Sequence, residues 1–334
     1  MTTMNQQVLL AARPVGAPKE TDFRVVETEL RDPGDGELLV RTAFLSLDPY
    51  MRGRMSEAKS YAKPTELGAV MIGGTVGEVV ASNHPKFPVG ATVVGTLGWQ
   101  RYAVTDGKGL MTVDTSRIPA SAYLGAVGMP GVTAWYGLVE IGRPKAGETL
   151  VVAAASGAVG AVVGQLAKIH GCRVIGIAGG AEKCAYVTSE LGFDACLDHR
   201  DPALEQQLRE ATPGGIDIYF ENVGGAILDM VLKRLNPFAR IPLCGLVSQY
   251  NATGAPTPVK YFGALLTSRA TVRGFIVSEH MDKWPAAPAE LGGHVASGRI
   301  KYRESITEGL ANAPAAFIGM LEGKNFGKAL VKVA

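Results

Sequence analysis

The chain has 334 residues, 47% of them apolar and 19% charged, and its 33 basic and 31 acidic residues leave a net charge of +2. That length exceeds one ordinary core, so two domains are expected, and the composition is that of a well-buried globule. So small a charge excludes a field strong enough for nucleic acid or an anionic membrane, and no stretch reaches the ~18 apolar residues of a membrane span.

The opening MTTMNQQVLLAARP has no basic n-region and does not read as a secretory signal. Residues 1–125 read as mostly β, with short apolar runs at 37–42, 75–81 and 92–97 set between Pro/Gly turns such as Asp32-Pro33-Gly34-Asp35-Gly36. These are the marks of a small barrel-like β domain. The character changes near Met129-Pro130-Gly131. From Thr149 onward strands and helices alternate: a strand at 149–154, a helix at 158–170 ended by Gly171, a buried strand at 173–178, a helix at 182–191, and later strands at 216–221 and 240–244. Runs this apolar fit a parallel sheet covered on both faces. The stretch 300–334 returns to mixed character and ends strand-like at 329–333. Glycine, at 42 residues, has nearly twice its usual share of about 7%, which fits many tight βα turns.

Between the first strand of the alternating region and its helix stands Ala153-Ala154-Ala155-Ser156-Gly157-Ala158-Val159-Gly160. The pattern is a dinucleotide fingerprint with its first Gly replaced by Ala154. Gly157 lets the backbone approach a pyrophosphate, Gly160 lets helix and strand pack closely, and the helix N-terminus offers N–H groups to phosphate. A merely Gly-rich turn is the plain alternative, but strand, helix and second strand follow in the right order.

In NAD-binding proteins a carboxylate about 20 residues downstream holds the ribose 2′-OH. The second strand here ends in "IGIAGGAEK", whose tip Ala178-Gly179-Gly180 is small and neutral, with Lys183 just beyond. Glu182 lies past the tip. Lys183 is either an exposed first-turn lysine or a point-charge partner for the 2′-phosphate of NADP, and the missing acid favours NADPH.

A zinc site needs three or four clustered ligands. The five histidines (His84, His170, His199, His280, His294) lie far apart, and Cys172, Cys184, Cys196 and Cys244 show no C-x-x-C pairing. No metal is expected, and reduced thiols point to a cytoplasmic protein. Hydride chemistry would then suit a substrate already polarised, such as a conjugated carbonyl.

Several stretches together resemble the zinc-free medium-chain dehydrogenase/reductase superfamily, in its prostaglandin reductase/leukotriene B4 dehydrogenase-like branch, which includes alkenal double-bond reductases and bacterial curcumin-reductase-like enzymes. They are Leu45-Ser46-Leu47-Asp48-Pro49-Tyr50-Met51-Arg52, Gly128-Met129-Pro130-Gly131-Val132-Thr133-Ala134, Ala154 through Gly164, Glu221-Asn222-Val223-Gly224-Gly225, Cys244 through Asn251, Gly274-Phe275-Ile276-Val277 and Gly323-Lys324-Asn325-Phe326-Gly327-Lys328. The resemblance implies an α/β fold: a GroES-like β-barrel catalytic domain (1–125 and 300–334) and a Rossmann domain with a doubly wound parallel sheet (126–299) that binds NADPH/NADP+. It implies NADPH-dependent reduction of the Cα=Cβ bond of α,β-unsaturated ketones or aldehydes without zinc, in a cytosolic homodimer.

Carried over residue by residue, the cofactor loop is Ser156, Gly157, Ala158 and Val159, with Lys183 at the 2′-phosphate and Asn222 beside the cofactor. Cys244, Gly245, Leu246, Val247, Ser248, Gln249 and Tyr250 line the nicotinamide end, as do Phe275, Ile276, Val277 and Asn325. Where the branch has Asn-Tyr-Lys, this chain has Asp198-His199-Arg200, after one extra helix residue. His199 or Arg200 would replace the Tyr contact.

Tyr250 matches the branch's active-site tyrosine. A phenol is protonated at neutral pH and suits donation to an enolate oxygen as hydride reaches Cβ. The proton to Cα comes from water or from Tyr250. Tyr50, after Asp48-Pro49, is either a turn aromatic or a wall of the substrate cleft; Tyr61 in a loop is a second wall candidate. Arg52 reads as a structural ion-pair residue facing the cofactor cleft. The alternatives are an NADPH quinone oxidoreductase of the same superfamily, or a non-catalytic NADPH-binding protein.

Overall fold

The computed structural model describes residues 4–255 and 257–333; residues 1–3, Pro256 and Ala334, which closes the 300–334 stretch, lie outside the described residues. The chain divides into two compact units, Met1–Leu124 with Glu304–Ala334, and Gly125–Arg303.

In the first unit β1 (Met4–Leu10) and β2 (Phe23–Glu29) form an antiparallel pair. The main sheet is built on β3 (Leu38–Ser46), whose LLVRTAFLS is rich in β-formers. Helix α1 (Tyr50–Arg54) follows directly after Asp48-Pro49. Next come β4 (Thr75–Ser82), β5 (Thr92–Gly95), β6 (Tyr102–Thr105) and β7 (Met111–Thr112). Strand β3 pairs with β4 along one edge and β6 along the other. Trp99 is fully buried in this unit's core, stacked on Phe23 at 5.6 Å and edge-on to Phe317 at 5.6 Å. Gly73 has no room for a side chain, because a β-carbon there would lie 2.9 Å from Trp99 Cδ1.

The second unit opens with α2 (Met129–Trp135), which widens into a π-helical stretch at Tyr136–Gly142. Then follow β8 (Thr149–Ala153), α3 (Gly160–Ile169), β9 (Arg173–Ala178), α4 (Ala181–Ser189), β10 (Ala195–Asp198), α5 (Leu204–Ala211) and β11 (Ile216–Phe220). The unit continues through α6 (Gly225–Leu232), β12 (Leu235–Leu243), α7 (Gly263–Ser268), β13 (Thr271–Gly274) and α8 (Ala286–Ala296). Among the described residues the sheet is six-stranded, in order β10-β9-β8-β11-β12-β13, with every pairing parallel. Both faces are covered. Val152 and Phe220 point into one apolar cluster, and Val151 and Tyr219 into the other. That explains runs with no polar alternation.

The chain then re-enters the first unit as β14 (Glu304–Glu308), α9 (Ala313–Leu321) and β15 (Lys328–Lys332), with β15 antiparallel to β3. No helix among the described residues is long and apolar enough to cross a membrane.

Helix α3 starts two residues later than its sequence pattern suggests, since 156–159 form a loop. Strand β8 ends at Ala153 because Ala154 turns to a left-handed φ of 54°.

Candidate active site

The order of the six strands reverses between β8 and β11, and ligands of such sheets sit outside the carboxyl ends of the strands at that reversal. There Asn222 Nδ2 donates to the carbonyl of Ala153 at 2.8 Å, tying the two strand ends together. Ala154 occupies the fingerprint's first glycine position in the conformation that favours glycine. Its carbonyl faces the next turn: Gly157 N donates to it at 2.9 Å, and a β-carbon on Gly160 would lie 2.3 Å away. Gly160 is therefore obligatory for α3 to meet β8. Ser156 is buried, while Gly157, Ala158 and Val159 are partly exposed ahead of a ten-residue helix whose first N–H groups have no partner within it.

The β9 tip is crowded with nitrogen. A β-carbon on Gly179 would lie 2.8 Å from His199 Nε2, and one on Gly180 3.4 Å from Arg200 Nη1. The side chains of His199 and Arg200 thus fill the space that a strand-tip acid would use. Asp198 Oδ1 fixes this arrangement by accepting the N–H of Gly180 at 2.9 Å and of Arg200 at 3.0 Å, and those bonds hold its carboxyl below the ordinary range. Partial burial, then the Arg200 charge, lower the Lys183 pKa, with Glu182 opposing. Lys183 and Arg200 are near enough to repel one another, and His199 and Arg200 lie against the Gly179-Gly180 backbone.

Residues 244–250 lie on the turn after β11. Cys244 N and Gly245 N donate to the carbonyl of Glu221, Val247 N to that of Asn222, and Ser248 N to that of Val223. Leu246 lies over the same turn, since a β-carbon on Gly224 would meet its Cδ2 at 2.9 Å and Gln249 Nε2 at 3.3 Å. Tyr250 follows the short helix Val247–Gln249, and its hydroxyl stands 2.9 Å from where a Gly245 β-carbon would be. Burial, then the Glu221 charge, push the Cys244 thiol up to about 12. Phe275 and Val277 face the core, Phe275 packing on Tyr136 at 5.5 Å. Only the main chain and Ile276 of that segment remain for other contacts.

In the first unit Arg54, without a role in the sequence reading, joins the two cleft candidates. Its guanidinium lies 4.5 Å from the ring centre of Tyr61 and 5.6 Å from that of Tyr50. The signal was present: Tyr50 and Arg54 are four residues apart on one helix face. Burial and the Asp48 charge raise the Tyr50 phenol well above its usual range. Asn325 Nδ2 donates to Gly327 O at 2.7 Å. The expected ion-pair role of Arg52 is corrected: among the described residues it makes no ion pair, and it donates instead to the carbonyl of Gly16 at 2.8 Å and of Pro14 at 3.4 Å. The loop 14–16 turns back over α1, so main-chain oxygens reach this buried guanidinium before any carboxylate does.

Among the described residues no three His, Cys, Asp or Glu side chains are grouped to hold a metal ion. The family described as the N-terminal domain of oxidoreductases matches residues 6–113, and that described as zinc-binding dehydrogenase matches 158–291. The NADPH-dependent curcumin reductase of Escherichia coli is 51% identical over 335 residues, covering 99% of this chain and 97% of its own. The chain belongs to the zinc-free medium-chain dehydrogenase/reductase family, in its prostaglandin reductase-like branch. Within that family prostaglandin reductase 1 of Rattus norvegicus is 43% identical over 326 residues, 95% of each chain. The structure of CurA from Vibrio vulnificus in complex with NADPH superposes with a TM-score of 0.94 at 50% identity, over 98% of this chain and 99% of that one. A GroES-like sheet domain with a Rossmann domain is the family's architecture, and the two units have those folds.

Proposed function

We propose that the protein reduces the Cα=Cβ bond of α,β-unsaturated ketones and aldehydes, using NADPH. The observation that carries this reading is the Tyr250 hydroxyl over Gly245, on a segment laid along the carboxyl ends of β11 and β12. The names of the relatives, a curcumin reductase and a prostaglandin reductase, support the same substrate class.

The second unit's residues fit the cofactor. Lys183, His199 and Arg200 would hold the 2′-phosphate where an acid would repel it. Ser156 through Val159 and the start of α3 would take the pyrophosphate. Asn222, the 244–250 segment and the main chain of Phe275, Ile276 and Val277 would surround the nicotinamide. Bound there, NADPH supplies the hydride. Tyr250 donates a hydrogen bond to the substrate's carbonyl oxygen, where negative charge collects as Cβ is reduced. The Cα proton comes from water or from Tyr250. Within the first unit, Tyr50 and Tyr61, both against Arg54, are the aromatic side chains that would serve as a wall for a conjugated substrate.

A homodimer belongs to this reading. Strand β13 is the sheet's edge, exposed along its length, with exposed Val272, Leu266 and Phe238 nearby, a surface suited to pairing with a second copy. Light scattering of Val272→Lys tests it: the variant should be monomeric, and an unchanged mass would contradict the assignment. The reaction itself is tested by following NADPH absorbance with an enone, a saturated ketone and a quinone. Turnover of the enone alone is expected; preference for the quinone would overturn the assignment.

A further inference from the structure

Strand β11 reads IDIYF and is followed by Glu221, a carboxylate with no solvent exposure at the end of an apolar strand. Its main chain extends the sheet through a bridge to Leu243. One carboxylate oxygen, Oε1, accepts Val223 N at 2.6 Å and Gly224 N at 2.9 Å. The other, Oε2, is buried against the equally buried Tyr219 hydroxyl, whose interaction with the carboxyl favours its charged form. Burying a carboxylate here is costly, and burial does raise its pKa. Two main-chain donors held by one oxygen are the return for that cost.

Those two bonds shape a turn with no room to vary. Gly224 and Gly225 both take positive φ, 77° and 61°. Their missing side chains make space for what lies above: Leu246 and Gln249 over Gly224, and Ser248 Oγ 3.5 Å from a Gly225 β-carbon. Ser248 binds the turn twice, through its N–H at 3.1 Å and its hydroxyl at 2.5 Å, both to the carbonyl of Val223. Val223 is the residue whose own N–H Glu221 holds. Tyr250 follows Ser248 by two residues, and its hydroxyl rests over Gly245, whose N–H donates to the Glu221 carbonyl at 3.2 Å.

We propose that Glu221 is the positioning residue for Tyr250: its buried carboxylate fixes the 222–225 turn, and that turn is the template for the segment carrying the Tyr250 hydroxyl. The inference rests on the reading of Tyr250 as donor to the substrate's carbonyl oxygen. Glu221 touches neither substrate nor cofactor in this assignment; it acts through peptide groups. A carboxylate is the right group because its charge-assisted bonds to N–H are stronger than those of an amide oxygen.

The test is a double-mutant cycle in kcat with a conjugated ketone at saturating NADPH. Tyr250→Phe, Glu221→Gln and Glu221→Met are measured alone, and both Glu221 variants again in the Tyr250→Phe background. NADPH dissociation constants are measured by fluorescence titration. Tyr250→Phe should lower kcat roughly tenfold or more. Glu221→Met should approach that loss, and Glu221→Gln, which keeps an acceptor oxygen, should lose about threefold. Neither should weaken NADPH binding more than about twofold, and neither should lower kcat further once Tyr250 is Phe. A Glu221→Gln loss of equal factor in both backgrounds would overturn the proposal, as would an unchanged kcat in both Glu221 variants. If Glu221→Met does not fold, the Gln cycle alone decides. If Tyr250→Phe by itself changes nothing, the reading of Tyr250 falls, and this inference with it.

Discussion

Lys328 Nζ lies 2.8 Å from Asp48 Oδ1, an ion pair buried in the first unit between residues 280 positions apart. Lys328 also donates to Leu47 O at 2.7 Å, and Ser46 Oγ donates to Asp48 Oδ2. The pair fastens β15 to the turn from which α1 and Tyr50 emerge. Lys328→Met leaves Asp48 buried and unpaired, so it should cost about 3–5 kcal/mol. Pairing it with Asp48→Leu should restore much of that loss, because two apolar groups replace the ion pair. Urea unfolding followed by tryptophan fluorescence measures both; equal losses in the single and double variants would contradict the account.

This pair shows where the sequence stops being legible. Both residues lie in stretches that carry the family resemblance, yet no local pattern shows that they meet. Strand β9, by contrast, follows directly from RVIGIA, an apolar run that continues through Gly176 and ends at Gly179-Gly180. The triplet Asp198-His199-Arg200 was visible as a departure from the family. Its placement depends on Gly179 and Gly180 offering open backbone 20 residues earlier, which only the fold brings alongside. The π-helical widening at Tyr136–Gly142 had no signal in composition. It goes with Gly137, where a β-carbon would strike Phe220 at 2.6 Å.

Ala154 holds a φ of 54°, which costs a residue with a β-carbon about 1–2 kcal/mol. Ala154→Gly should relieve that strain, less the extra chain entropy glycine brings to the unfolded state, for a gain of up to about 1 kcal/mol. Ala154→Val should lose more than this. Urea midpoints decide between them, and a less stable Gly variant would contradict the strain.

The basic side chains at the β9 tip predict cofactor choice. Lys183→Ala and Arg200→Ala should each lower kcat/KM for NADPH by roughly tenfold while leaving NADH nearly unchanged. Added salt should weaken NADPH binding more than NADH binding, because the proposed 2′-phosphate contact would be an ionic one open to solvent. Equal kcat/KM for the two cofactors in the unmodified protein would contradict the assignment.

Conjugated carbonyls alkylate thiolates, and Cys244 belongs to the segment assigned to the nicotinamide end. Burial pushes its pKa up to about 12, so the thiol should stay protonated at neutral pH. Incubation with an enone at pH 7.5, without NADPH, should leave no adduct on Cys244 by peptide mass spectrometry. An adduct formed at that pH would show that the thiol is ionised after all.

The central claim is that hydride goes to Cβ and the carbonyl survives. NADPH deuterated at the transferring nicotinamide carbon, a conjugated ketone and the protein test this in one reaction, read by NMR of the product. The account predicts a saturated ketone with one deuterium at Cβ. An allylic alcohol with deuterium on the carbonyl carbon, or no turnover across a panel of enones, would contradict it.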